Sequence, residues 1–127
     1  MNKNFIAYKG QKLTLEWYFS TQGKSEVLEY FENLTQDRQK KLIHLFLLLG
    51  DSGKIFNKEK FLHEGDQIYA LKTSDDRLLC FFFDGAKVII TNAYEKKTKK
   101  MPPREKERAL KAKADYAKRI RDRNYYG

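Results

Sequence analysis

Residues 77–83 (RLLCFFF) and 87–94 (KVIITNAY) are two short runs dense in aromatic, β-branched and other apolar side chains, with Asp84-Gly85 in the break between them. Asp-Gly readily supplies the left-handed φ values of a tight hairpin turn. The two runs therefore predict an antiparallel hairpin. The first run is almost continuously apolar, as a strand covered on both faces must be, which puts it near the middle of a sheet.

Two further segments have strand character. Residues 67–73 form the strand before the hairpin, with Asp75-Asp76 marking the turn between them. Residues 13–19 (LTLEWYF) make an aromatic-rich run that ends at the turn-prone residues 20–23.

Between these segments the apolar period changes to that of a helix. Over residues 24–34, Val27, Phe31 and Leu34 fall at i, i+4 and i+7, with Leu28 widening the stripe. Thr35 is placed to cap a second helix, and Asp37 sits in its first turn, where the dipole favours negative charge. Leu42, Leu45, Phe46 and Leu49 then line one face. Ile43, Leu47 and Leu48 broaden it, which predicts the most buried helix. Residues 50–53 (GDSG) end it. Residues 54–66 read as a looser stretch holding Lys54, Lys58 and Lys60. After the hairpin come a basic loop over 95–100 and Pro102-Pro103, which suit a helix start. A helix over 104–121 follows, with a thin stripe of Ala109, Ala112, Tyr116 and Ile120.

The expected order is β-α-α-β-β-β-α. This is an α+β layout in which helices pack on one face of a small, mostly antiparallel sheet, within a single domain spanning residues 1–127. The tail over 122–127 is polar and terminal, and is expected to be mobile. That would leave Tyr125 and Tyr126 open to RNA or a partner.

Charge is concentrated at one end. Residues 95–127 carry 13 Lys/Arg against 5 Asp/Glu, a surplus of 8 out of the net +9. A basic block of this kind suits a polyanion: RNA, DNA, an acidic protein or an anionic membrane. No apolar run is long enough to span a bilayer, and residues 1–12 lack the apolar stretch of a signal peptide. Cys80 is alone, so no intramolecular disulfide forms. A reducing, cytoplasmic setting is the expectation.

Among chemistry-bearing residues, His63 falls in the loop before residue 67, and His44 lies within the apolar second helix. Asp75-Asp76 is better explained as a turn than as an acid–base pair. Two histidines and one cysteine without close spacing argue against a zinc site. There is no Gly-rich phosphate loop. No cofactor is expected.

Several local words, in order, resemble the RelE/HigB superfamily of toxins from toxin–antitoxin systems, and especially its phage-derived branch. They are Gly23-Lys24-Ser25-Glu26-Val27 with Leu34, then Leu49-Gly50-Asp51-Ser52-Gly53, then Ile68-Tyr69-Ala70-Leu71-Lys72. Arg77 with its apolar run follows, then Asn92-Ala93-Tyr94-Glu95-Lys96-Lys97-Thr98 with Pro102 and Ala109. The resemblance covers residues 13–116. It implies a concave basic sheet face, a cognate antitoxin partner, and cleavage of mRNA, on the ribosome in some relatives.

Carried over residue by residue, Arg77 matches the strand arginine, and Lys96 and Lys97 match the paired lysines of the loop. Lys72 stands where arginine is usual, and a lysine cannot make the planar bidentate grip on phosphate. Asn92 stands where many relatives have histidine, and Tyr94 replaces phenylalanine.

Such residues suit metal-free RNA cleavage because RNA carries its own nucleophile, the 2′-hydroxyl. The protein must align the strand, neutralise charge on the phosphoryl oxygens and protonate the leaving oxygen. Lysines crowded by other cations lose a proton more readily. The expected roles are Arg77, Lys96 and Lys97 in catalysis, with Lys72, Tyr94, Lys99, Lys100 and Arg104 binding RNA. The competing explanation for Arg77 is a surface ion pair with Asp75 or Asp76. Two other functions share the features: a gyrase-poisoning toxin of the same fold, and a non-catalytic module that binds nucleic acid or antitoxin through its basic C-terminal helix.

Overall fold

A computed structural model describes residues 3–127. The strands are β1 (Ile6–Lys9), β2 (Thr14–Trp17), β3 (Phe61–His63), β4 (Tyr69–Lys72), β5 (Asp76–Phe83) and β6 (Lys87–Glu95), and the helices are α1 (Glu26–Glu32), α2 (Gln36–Ser52) and α3 (Pro103–Arg121). One sheet holds all six strands in the order β1-β2-β6-β5-β4-β3. Only the β2–β6 pair is parallel. The α+β layout with a mostly antiparallel sheet is as expected.

The hairpin anchors the sheet. Asp84 and Gly85 adopt φ of 58° and 69°, the pair of positive values a type I′ turn requires. β5 is central, and Leu78, Leu79, Cys80 and Phe81 along it are all buried. The helix caps follow the side-chain chemistry. Thr35 Oγ1 accepts from the Arg38 N–H, and Ser25 Oγ accepts from Leu28 N–H, so α1 begins at Glu26 rather than at residue 24. Gly53 closes α2 with φ of 83°.

The structure differs from expectation in four places. Two short strands are additional. β1 lies at the sheet's edge against β2, and β3 rises from the Lys-rich stretch that reads as loop, with His63 at its end. The hairpin of β1 and β2 docks on the end of α2. There the N–H groups of Lys12 and Leu13 both donate to Gly50 O, at 2.8 and 2.9 Å. Gly10 meets Gly50 so closely that a Cβ on Gly10 would lie 2.2 Å from the Gly50 carbonyl carbon.

The helices do not share a face. α1 and α2 cover one side, where Val27, Leu42, Leu45, Phe46 and Leu49 pack with Leu71, Leu78, Cys80, Val88 and Ile90. α3 covers the other, packing Ala109 and Tyr116 on Ala70, Leu79, Phe81 and Ile89. A central sheet with both faces apolar needs a layer on each.

The tail is docked. Tyr125 is 2% exposed, and its hydroxyl accepts the Phe19 N–H at 2.9 Å. Its ring meets Tyr116 and Tyr126 edge-on. The Tyr126 hydroxyl donates to Glu16 and shares a hydrogen bond with Tyr116.

Asp76 is part of β5 and wholly buried, where the sequence suggested a turn. Arg38 grips its carboxylate with two nitrogens, Nε to Oδ2 at 3.0 Å and Nη2 to Oδ1 at 2.5 Å. The Tyr30 hydroxyl donates to the same Oδ1. Among the described residues no helix is long and apolar enough to cross a membrane.

Candidate functional site

The register across three strands places Lys72 opposite Arg77, and Arg77 opposite Tyr94. Tyr94 reaches this row through a β-bulge. Leu79 pairs with Asn92 but Cys80 pairs with Ile90, so Thr91 is an extra residue in β6. Before it, Ile89 faces α3. Simple alternation would turn Asn92 and Tyr94 toward α1 and α2. The inserted residue reverses the facing, and Tyr94 joins Arg77 on the α3 side. Nothing in the sequence read singly marks this bulge.

Arg77 is partly buried, and its Nη1 donates to the carbonyls of Thr73 at 2.5 Å and Asp76 at 3.0 Å. Neither neighbouring aspartate pairs with it. Asp76 belongs to Arg38, and Asp75 lies 3.4 Å from Lys41 Nζ. Lys41 and the Ser74 hydroxyl hold the Asp75 carboxyl below its ordinary range. The ion-pair explanation of Arg77 is thus set aside. Two backbone carbonyls orient the guanidinium at one nitrogen, and among the described residues no carboxylate oxygen lies within 4.0 Å of it.

Tyr94 is partly buried and packs with Met101 against the α3-side core. Burial raises its phenol pKa, while Arg77 lowers it and Glu64 and Glu105 raise it further. At neutral pH the hydroxyl is therefore a hydrogen-bond donor. Tyr94 is only partly free for stacking on a base.

The loop after β6 is exposed over residues 96–100. Lys96 N–H donates to Asp75 O at 2.8 Å, which ties the loop's root to the β4–β5 turn beside Arg77. Lys96, Lys97, Lys99 and Lys100 have no carboxylate within 4.0 Å among the described residues. Arg104 is 85% exposed at the start of α3, 3.8 Å from Glu105.

Lys72 Nζ turns to the Lys58 carbonyl, 3.4 Å away. Asn92 is buried, and its Nδ2 donates to both the main-chain and side-chain oxygens of Glu105, locking β6 to α3. His44 and His63 are both exposed, and His63 Nε2 accepts the Gln67 N–H. The sequence reading missed Arg38 and Tyr30. They hold Asp76 and so fix the strand that carries Arg77.

This geometry defines a small, basic α+β domain whose sheet ends in an unpaired cationic corner. The family model "Phage derived protein Gp49-like (DUF891)" matches residues 29–114, well over half of the chain, and the chain belongs to that family. It is a toxin-like family associated with toxin–antitoxin pairs, and it implies an antitoxin partner. The match takes in the Lys72–Arg77–Tyr94 row and the lysine loop, and leaves out β1, β2 and the tail. No curated protein matches the chain.

Proposed function

We propose that the chain is the toxin of a RelE/HigB-like pair and cleaves mRNA at the corner formed by Lys72, Arg77, Tyr94 and the lysine loop. One observation carries this reading: Arg77 is held in place by carbonyls, beside a protonated tyrosine, with no carboxylate among the described residues to neutralise it. A fixed cation without an internal partner is what a developing phosphorane charge needs.

In this mechanism the 2′-oxygen attacks the adjacent phosphorus and the 5′-oxygen bond breaks, leaving a 2′,3′-cyclic phosphate and a 5′-hydroxyl. Arg77 stabilises the charge on the phosphoryl oxygens. Lys96 or Lys97 holds the phosphate or relays the proton released by the 2′-hydroxyl to the leaving 5′-oxygen. Tyr94 donates to a phosphate oxygen or aligns a base, and Lys72, Lys99, Lys100 and Arg104 follow the backbone. No step requires a metal. The antitoxin covers this face in the cytoplasm, and the ribosome presents the mRNA.

The basic helix offers a weaker alternative as a binding module. Much of its charge is internally paired: Lys106 with Asp66 at 2.9 Å, Arg108 with Glu26 and Glu105, Lys118 with Asp122 at 3.0 Å, and Arg119 with Asp115 at 2.8 Å. Among the described residues the loop lysines have no such partners.

Induced expression tests the choice. Wild type arrests growth and yields new mRNA 5′ ends bearing hydroxyl groups, whereas Arg77→Ala does neither and remains folded. Growth arrest with intact mRNA and altered DNA supercoiling would replace this reading with gyrase poisoning.

A further inference from the structure

A second cationic feature lies off the Arg77 corner, between α2 and the β3–β4 pair. It is a groove of about 400 Å³, with Leu45 in its lining, Lys40, Lys41, His44, Lys60 and Lys72 around it, and Asp37 as the one carboxylate among its lining residues. Lys41 is committed to Asp37 and Asp75. Lys40, Lys60 and Lys72 have no carboxylate within 4.0 Å among the described residues. Beside the groove, the outer face of α2 exposes two aliphatic side chains one turn apart, Ile43 at 42% and Leu47 at 40%. Both come from the apolar stripe that leads the sequence to predict the most buried helix. The sheet takes Leu42, Leu45, Phe46 and Leu49 and leaves these two uncovered.

Lysines around an apolar lining, next to an exposed Ile–Leu pair on a helix, ask for a ligand that is acidic and apolar at once. We infer that this groove and the adjoining face of α2 bind an acidic amphipathic segment of a protein partner, with its carboxylates on Lys40 and Lys60 and its apolar side chains on Ile43 and Leu47. Charge complementarity selects the sign and steers the encounter. The aliphatic pair selects protein over nucleic acid, because phosphates gain nothing from Ile43 or Leu47, and bases stack on planar groups. The inference goes beyond RNA cleavage, since the groove can hold a partner whether or not Arg77 cuts RNA. Lys72 lies directly opposite Arg77 in the sheet, so an occupant here sits one strand from the proposed cleavage corner.

The test uses the full chain and two labelled probes at low salt, read by fluorescence anisotropy. One probe is a helical peptide of Glu-Ala-Leu-Glu repeats; the other is an oligouridylate. The groove variants are the double reversal Lys40→Glu/Lys60→Glu and, separately, Leu47→Glu. The control is Lys24→Glu/Lys111→Glu, which changes net charge equally at exposed sites away from the groove. Circular dichroism confirms that every variant is folded. The expected result is that both groove variants weaken peptide binding by roughly tenfold or more relative to the control, a difference well resolved by titration. Oligouridylate binding changes equally in the groove and control double variants. Peptide binding that falls equally in groove and control double variants would overturn the proposal, as would no peptide binding to wild type. Selective loss of oligouridylate binding in the groove reversal would reassign the surface to RNA. None of these outcomes depends on cleavage, so they are distinguishable from a failure of the ribonuclease reading.

Discussion

Arg38 on α2 reaches across 38 residues of sequence to clamp the carboxylate of Asp76 on β5, through two hydrogen bonds at 3.0 and 2.5 Å. Asp76 has no solvent exposure, and among the described residues its only other side-chain contact of this kind is the Tyr30 hydroxyl. The clamp joins α1, α2 and the strand whose next residue is Arg77.

Removing Arg38 strands a buried carboxylate. Breaking one side of a buried pair is far more damaging than never having had it. Arg38→Ala should cost about 2–4 kcal/mol in urea unfolding, toward the low end for such pairs because the arginine is a quarter exposed. Removing both partners, in Arg38→Ala/Asp76→Ala, should recover part of that loss. A double variant no more stable than Arg38→Ala would contradict the clamp.

The docked tail has its own signature. Tyr125→Ala removes a buried ring and the acceptor for Phe19 N–H, with an expected cost of about 3 kcal/mol, as for other large-to-small core changes. Tyr125→Phe keeps the ring and should cost about 1 kcal/mol. A free tail would show neither effect by thermal or urea unfolding.

Stability should fall on the alkaline side. Burial is the largest cause of the raised phenol pKa values of Tyr18, Tyr30, Tyr125 and Tyr126, with Asp115 adding to the rise of Tyr18, Asp76 to that of Tyr30, and Glu16 to those of Tyr125 and Tyr126. For a group whose folded pKa exceeds its unfolded value, the stabilisation is complete below the unfolded value, about 10 for tyrosine. Above it the unfolded chain binds fewer protons than the native one, so unfolding free energy declines with pH until the folded value is passed. Urea midpoints should therefore drop from about pH 10 upward. Tyr125→Phe should flatten that drop. Tyrosinate absorbance of the native protein that rises like that of the unfolded chain would contradict this.

Gly10 and Gly50 provide a steric test. A Cβ on Gly10 meets backbone, which cannot swing aside, so Gly10→Ala should destabilise by about 1–3 kcal/mol, the usual range for overpacking. Hydrogen exchange should show the loss concentrated in β1, β2 and the end of α2. Unchanged protection there would mean that the hairpin is not docked.

How much of this was legible in the sequence depends on whether the cause was local. The β5–β6 hairpin was readable because the six apolar residues 78–83 and Asp84-Gly85 point the same way. The α2 cap at Thr35 and the Pro102-Pro103 start of α3 were readable for the same reason. β1 and β3 were not, because IAYK and FLH are too short to show a period and become strands only by pairing with β2 and β4. Asp76 looked like a turn residue because its partner, Arg38, is on a helix distant in sequence. The polar composition of the tail hid Tyr125, whose pocket is assembled by Phe5, Tyr18 and Tyr116 from three distant places. At the site, Arg77 and the lysine loop were visible as residue types. Their alignment with Tyr94 was not, because it depends on the single extra residue at Thr91.

The most direct test of the ribonuclease reading is cleavage of a defined mRNA by the purified protein, with and without translating ribosomes, and with EDTA in the ribosome-free arm. Wild type should cleave in at least one arm. Arg77→Ala should lower the rate by about 10²–10³-fold, the scale of losing one fixed charge-stabilising donor, and Lys97→Ala should also abolish detectable cutting. Intact RNA with folded wild-type protein in both arms, or undiminished cleavage by Arg77→Ala, would contradict the account.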